Sequence, residues 1–201
     1  MILIGVNRSP YTRRVAITLR AHGVPYEQRD LSGFSNRDEV RAANPLGRIP
    51  ALVLGNGETL IDSAAIVDHL DEVHGGDRPL TPRQGVERRA VLRIAALMMG
   101  ACDKGLQAAY HRNHVPPEKQ HRPWIDDCLA QMTKALAAID AQAGDGSRYL
   151  LLDRLTQADI TAFVAERLAR GIGIDTDTTL PNLRALTRRW LDETPFKSTE
   201  P

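Results

Sequence analysis

The hydrophobic periodicity of this chain changes once, across "GGDRPLTPRQG" at residues 75–85, and it does not change back. Upstream of that stretch, short apolar or alternating runs of strand character take turns with segments of helical period; downstream only the helical period survives. Any sheet is therefore confined to the first part of the chain. The rest has to bury its apolar stripes as helix against helix. At 201 residues, with 42% hydrophobic and 25% charged residues, the chain is long enough for two such cores.

The upstream part reads as an alternating series. "MILIGV" is a short apolar run typical of a buried strand, and "NRSP" leads into a helix over Pro10–Ala21 that Gly23 and Pro25 terminate. "YEQRDL" alternates like a half-buried strand, and "SNRDEVRAAN" is a short polar helix stopped by Pro45. "IPALVL" and "ETLID" are strands joined by the hairpin signal "GNG", and "SAAIVDHLDEVHGG" is an amphipathic helix closed by glycines. The predicted order is βαβαββα. Beyond the break, Val91, Ile94, Ala95, Met98 and Cys102 keep helical spacing, as do Ile125, Leu129, Met132, Leu136 and Ile139. "LTQADITAFVAERLARG" and "LPNLRALTRRWLD" are further helices, the latter with Pro181 near its first turn. The expected domains are 1–76, a linker at 77–85, and an all-helical domain at 86–201.

Charge and cysteine content narrow the function classes. There are 26 basic and 25 acidic residues, a formal net charge of +1, so no global field recruits nucleic acid or an anionic membrane. Cys102 and Cys128 fit neither a redox pair nor a zinc-ligand spacing, and His111 and His114 lack a third ligand, so no metal is expected. No apolar run approaches the ~20 residues of a membrane span, and Met1 is followed by no basic segment or cleavage site. A cytoplasmic protein is the expectation.

Four segments, "SPYTRRVAI", "NPLGRIPAL", "IDSAAIVDHL" and "LTQADITAF" followed by "LPNLRALTRRW", occur in an order and spacing that resembles the cytosolic glutathione S-transferases over nearly the whole chain. The resemblance implies a thioredoxin-like βαβαββα domain followed by an all-helical domain. It implies glutathione as co-substrate, a small hydrophobic electrophile as its partner, a detoxification role and a homodimer. Redox relatives of that domain place Cys-Pro-Tyr-Cys where this chain has Ser9, Pro10, Tyr11 and Thr12. With no cysteine at those positions, thiol–disulfide exchange there is impossible, and the thiol has to arrive with the ligand.

A glutathione site has to favour thiolate over thiol, and a free thiol of pKa about 8.5 is only ~3% ionised at pH 7. Lowering that pKa by about two units takes ~2.7 kcal/mol. One hydrogen bond to a charged group contributes ~1.5–3 kcal/mol, and a helix N-terminus up to ~2 kcal/mol. Ser9, just before Pro10, supplies both, and resemblance to the serine-type transferases makes it the thiolate partner; as Ser before Pro it also reads as a helix cap. Tyr11 is the runner-up donor. In "GRIPAL" the resemblance implies a cis bond between Ile49 and Pro50, which turns the Ile49 backbone toward the cysteinyl unit of the tripeptide. Asp62 and Ser63, before a helix, suit the ammonium and carboxylate of the γ-glutamyl group. For the glycyl carboxylate Arg48 is chosen by position, with Arg13, Asn36 and Arg37 as alternatives. Tyr11, Met99 and Tyr110 are candidates for contact with the electrophile. Thr156 and Asp159 have capping-box spacing, with Leu155 and Ile160 at staple positions, which concerns folding rather than catalysis.

The leading reading is attack of bound glutathione thiolate on an apolar electrophile. A second keeps the fold but isomerises a cis double bond or removes a halide. A third is a non-catalytic module that binds a hydrophobic ligand or a protein.

Overall fold

The computed structural model describes residues 1–144 and 148–201. The chain forms two compact units, Met1–Arg83 together with Trp190–Pro201, and Gln84–Arg189.

The first unit is a four-stranded sheet with helices on both faces. Its elements are β1 (Ile2–Ile4), α1 (Pro10–Ala21), β2 (Glu27–Arg29), α2 (Arg37–Ala43), β3 (Ala51–Val53), β4 (Thr59–Leu60) and α3 (Ser63–His74), in the predicted order. The strand order is β2-β1-β3-β4. β1 runs parallel to β2, pairing Ile2 with Glu27, and antiparallel to β3, pairing Leu3 with Leu52; β3 and β4 are antiparallel. Side chains two apart share a face of a sheet. Accordingly Leu3 and Leu52 pack with Val15, Leu19, Ile66 and Leu70 of α1 and α3, while Ile4 and Ala51 pack on the opposite face with Val40 of α2.

The second unit is helical: α4 (Gly85–His114), α5 (Arg122–Asp140), α6 (Gln157–Gly171), α7 (Thr176–Thr179) and most of α8 (Pro181–Trp190), with a 3-10 turn at Pro117–Lys119. α4 packs on both α5 and α6. All five residues of the predicted α4 stripe are buried. On α5, Ile125, Met132, Leu136 and Ile139 are buried as predicted, while Cys128 is fully buried and Leu129 only partly. The predicted stripe names Leu129 and omits Cys128, but the slim thiol is the one that fits the tight α4 seam. That closeness is built in at Gly105, where an added Cβ would lie 2.4 Å from Met132 Sδ.

Residues 190–201, which the helical pattern joins to the second half, sit in the first unit. α9 (Thr194–Lys197) packs on α1, with Phe196 fully buried and stacked on Trp190 at 5.5 Å between ring centroids. The buried Arg13 Nη2 donates to Phe196 O at 3.5 Å.

Candidate functional site

Ser9 is the N-cap of α1. Its φ and ψ are −76° and 124°, its Oγ accepts the Thr12 N–H at 3.4 Å, and its carbonyl accepts the Arg13 N–H at 2.9 Å. Pro at the first helical position has no N–H to satisfy, and no acidic side chain occupies the first turn. The helix dipole there is left to act on whatever anion approaches. A close approach of backbone underlies this turn: Gly5 has φ of +140°, and a Cβ on it would lie 2.5 Å from Thr12 Oγ1 and 3.1 Å from Ile49 Cβ. The end of β1, the start of α1 and the loop before Pro50 are therefore in mutual contact.

An open, shallow cleft lies in the first unit. Tyr11, Arg48, Ile49, Pro50, Asp62 and Ser63 all line it, so the structure brings together six of the residues singled out above. Ser9 is not among the lining residues. The Ile49–Pro50 and Ile61–Asp62 peptide bonds are cis.

Asp62 is the N-cap of α3, and its Oδ1 accepts the Ala64 N–H at 2.9 Å and the Ser63 hydroxyl at 3.2 Å. Ser63 is 1% exposed, and its Oγ also accepts Nη1 of the buried Arg14 at 3.5 Å. The result is a chain from a guanidinium through a hydroxyl to a carboxylate, with positive, neutral and negative groups set side by side at a helix N-terminus. Of the three, Asp62 and Ser63 line the cleft and Arg14 does not, so the carboxylate and hydroxyl at the α3 N-terminus are what a zwitterion would meet there.

Three further residues line the cleft that the sequence reading passes over: Asn44, Leu46 and Ile61. Asn-Pro is a turn signal, and it could have directed attention to Asn44. Ile61 offers no such signal, since within "ETLID" it reads as a strand residue, yet β4 ends at Leu60 and Ile61 is 38% exposed. Of the alternatives to Arg48, Arg13 is engaged with the C-terminal segment, and Asn36 stands at the N-cap position of α2 with its Oδ1 turned to the loop before it, accepting the Ser32 N–H at 3.1 Å. Arg37 opens α2 and is exposed, as Arg48 is.

Residues 3–78 match the family pattern described as "Glutathione S-transferase, N-terminal domain", and residues 122–192 match "Glutathione S-transferase, C-terminal domain". The chain belongs to the glutathione S-transferase family. It is 30% identical over 210 residues to a protein of Escherichia coli K12 called "Uncharacterized GST-like protein YibF", covering 100% of this chain and 98% of that one. It is 32% identical over 181 residues to the maleylacetoacetate isomerase of Pseudomonas aeruginosa, covering 84% of this chain and 82% of that protein. A glutathione S-transferase of Methylobacterium radiotolerans, solved in complex with glutathione sulfonate, matches with a TM-score of 0.92 at 28% identity, covering 100% of this chain and 94% of that one.

The remaining candidates lie in the second unit of this glutathione S-transferase family member. Met99 is partly buried on α4, and Tyr110 is 44% exposed, its ring tilted against His114 at 5.9 Å. His111 has a structural partner: its Nε2 accepts the His121 N–H at 3.1 Å, just before α5. Thr156 and Asp159 form the capping box of α6, with both reciprocal bonds made. Asp159 is fully buried, its Oδ1 accepts the Leu150 N–H at 2.8 Å, and its Oδ2 accepts the Thr156 N–H and hydroxyl at 2.8 and 2.7 Å. Burial pushes its carboxyl up to about 6, against the pull of those hydrogen bonds. No described helix is long and apolar enough to cross a membrane.

Proposed function

We propose that this chain is a glutathione transferase that binds the tripeptide in the cleft of its first unit and passes its thiolate to a small hydrophobic electrophile. The observation that carries the reading is the convergence of Arg48, Ile49, Asp62 and Ser63 on one cleft. It is supported by family membership and by the glutathione sulfonate held by the Methylobacterium radiotolerans relative. Asp62 takes the γ-glutamyl ammonium, and Ser63 with the α3 N-terminus takes the carboxylate. The Ile49 backbone pairs with the cysteinyl unit, and Arg48 takes the glycyl carboxylate. Ser9 and the α1 N-terminus stabilise the thiolate. The thiolate forms a C–S bond at the electrophilic carbon. The leaving group departs with the bonding pair, or in conjugate addition the α-carbon takes up a proton. The protein works as a homodimer, which sedimentation velocity tests.

Calorimetry with glutathione tests the binding step, and millimolar glutathione without heat would overturn it. Ser9→Ala tests the chemistry. With one charge-assisted hydrogen bond lost, the conjugation rate at pH 6.5 falls on the order of 10- to 100-fold, while retention on immobilised glutathione persists. Unchanged turnover would remove Ser9 from the mechanism.

A second reading, glutathione-dependent cis–trans isomerisation, draws on the 32% identity to the Pseudomonas aeruginosa isomerase. Assaying a maleyl-type substrate beside a chloroarene separates the two.

A further inference from the structure

The loop between α2 and β3 is organised around one side chain that has no place in the reading above. Asn44 is the C-cap of α2, 3% exposed, and it borders the cleft. Every polar atom it carries has a partner. Its backbone N–H donates to Val40 O at 2.8 Å, and its carbonyl accepts the Gly47 N–H at 2.7 Å. Its Oδ1 accepts the Leu46 N–H at 3.1 Å, and its Nδ2 donates to Arg48 O at 2.8 Å. Pro45 has no N–H to offer, and Gly47 at φ of +65° makes the left-handed turn that lets the chain come back on Asn44. The loop from 44 to 48 is thus closed on itself through one buried amide.

The last of these bonds reaches the functional surface. The peptide unit joining Arg48 to Ile49 is planar, so its C=O and N–H point to opposite sides. Holding the Arg48 carbonyl against Asn44 aims the Ile49 N–H away from it and sets the direction in which the Arg48 side chain leaves the backbone. Two of the ligand contacts proposed above, the Arg48 guanidinium and the Ile49 backbone, hang on this one peptide plane.

We propose that Asn44 is a positioning residue of the glutathione cleft, which orients the Arg48–Ile49 peptide and so sets affinity for the cysteinyl-glycyl half of the tripeptide. This rests on the glutathione reading of the cleft. Asn44 touches neither the sulfur nor the electrophile in this scheme, so its loss acts on binding and not on the chemical step.

Asn44→Ala and Asn44→Asp, compared with wild-type protein, test it. Asn44→Ala exposes the Leu46 amide to faster hydrogen exchange, weakens glutathione binding about tenfold by calorimetry, and leaves kcat at saturating glutathione within about twofold. Asn44→Asp keeps size and the acceptor for Leu46, but at neutral pH it sets a carboxylate oxygen against the Arg48 carbonyl. Only its protonated form can donate there. Its deficit in glutathione affinity relative to wild type therefore shrinks as pH falls from 7.5 to 4, into the ordinary titration range of an aspartate carboxyl. Wild-type protein that gives no heat with glutathione sinks the ligand reading itself. Wild-type binding with an Asn44→Ala variant of equal affinity, or an Asn44→Asp deficit that does not change with pH, sinks the role of Asn44 alone.

Discussion

Asp159 shows what one buried carboxyl does to the whole stability profile. Its carboxyl stands at about 6 in the folded protein, against an ordinary value of 3.8. Between those values the folded state keeps a proton that the unfolded chain has released, so the contribution of Asp159 to stability is greatest below about pH 4 and is lost as pH rises through 6. The shift is worth on the order of 3 kcal/mol. Urea unfolding of wild type and Asp159→Asn at pH 4, 5, 6 and 7 is expected to show the wild type losing about that much relative to the variant; parallel profiles would refute it. This residue was legible in the sequence because a capping box is a contact between positions three apart. Ser9 was legible for a similar reason, since Ser before Pro opens a helix whatever surrounds it. Asn44 was not, because its side chain answers to a loop closure that appears only once Gly47 has turned the chain.

Among the elements, α1, α3 and the loop that follows α3 are joined by a residue to which no motif pointed. Asp71 is 5% exposed; its Oδ1 accepts the Leu80 N–H and faces His22 Nε2, both at 2.9 Å, and its Oδ2 accepts the Thr81 N–H at 2.8 Å. In sequence it is one acidic residue of "HLDEVH", indistinguishable from a solvated helix face. Asp71→Ala leaves two buried N–H groups without partners and is expected to lower unfolding free energy by about 3 kcal/mol in denaturant titrations. Gly5 makes a second case. A Cβ at its φ of +140° meets Thr12 and Ile49 together, so Gly5→Ala is expected to cost about 2–4 kcal/mol and to weaken glutathione binding by moving the loop before Pro50. An alanine variant with wild-type stability and affinity would show that this approach is not required.

At the scale of the molecule, the C-terminal twelve residues belong to the unit that the first eighty residues build. Phe196→Ala removes a fully buried ring and its stacking on Trp190, at a cost of about 3–5 kcal/mol. The two tryptophans locate that cost. Trp190 is fully buried in the first unit, and Trp124 lies 44% exposed on α5 of the second. In a Trp124→Phe background, the red shift of Trp190 emission on urea unfolding is expected to move to lower denaturant in Phe196→Ala. An unmoved midpoint would show that α9 adds nothing to the first unit.

The sequence by itself determined the order of elements through α3, the stripe of α4 and most of that of α5, and the capping box of α6. Each is a local pattern, carried by side-chain period or by partners within one helical turn. Only the tertiary structure decided that residues 190–201 return to α1, that Asp71 holds residues 80 and 81, and that Asn44 governs the Arg48–Ile49 peptide. Those contacts depend on where the chain arrives in space, and a polar side chain reads the same in sequence whether water or a buried backbone group will be its partner.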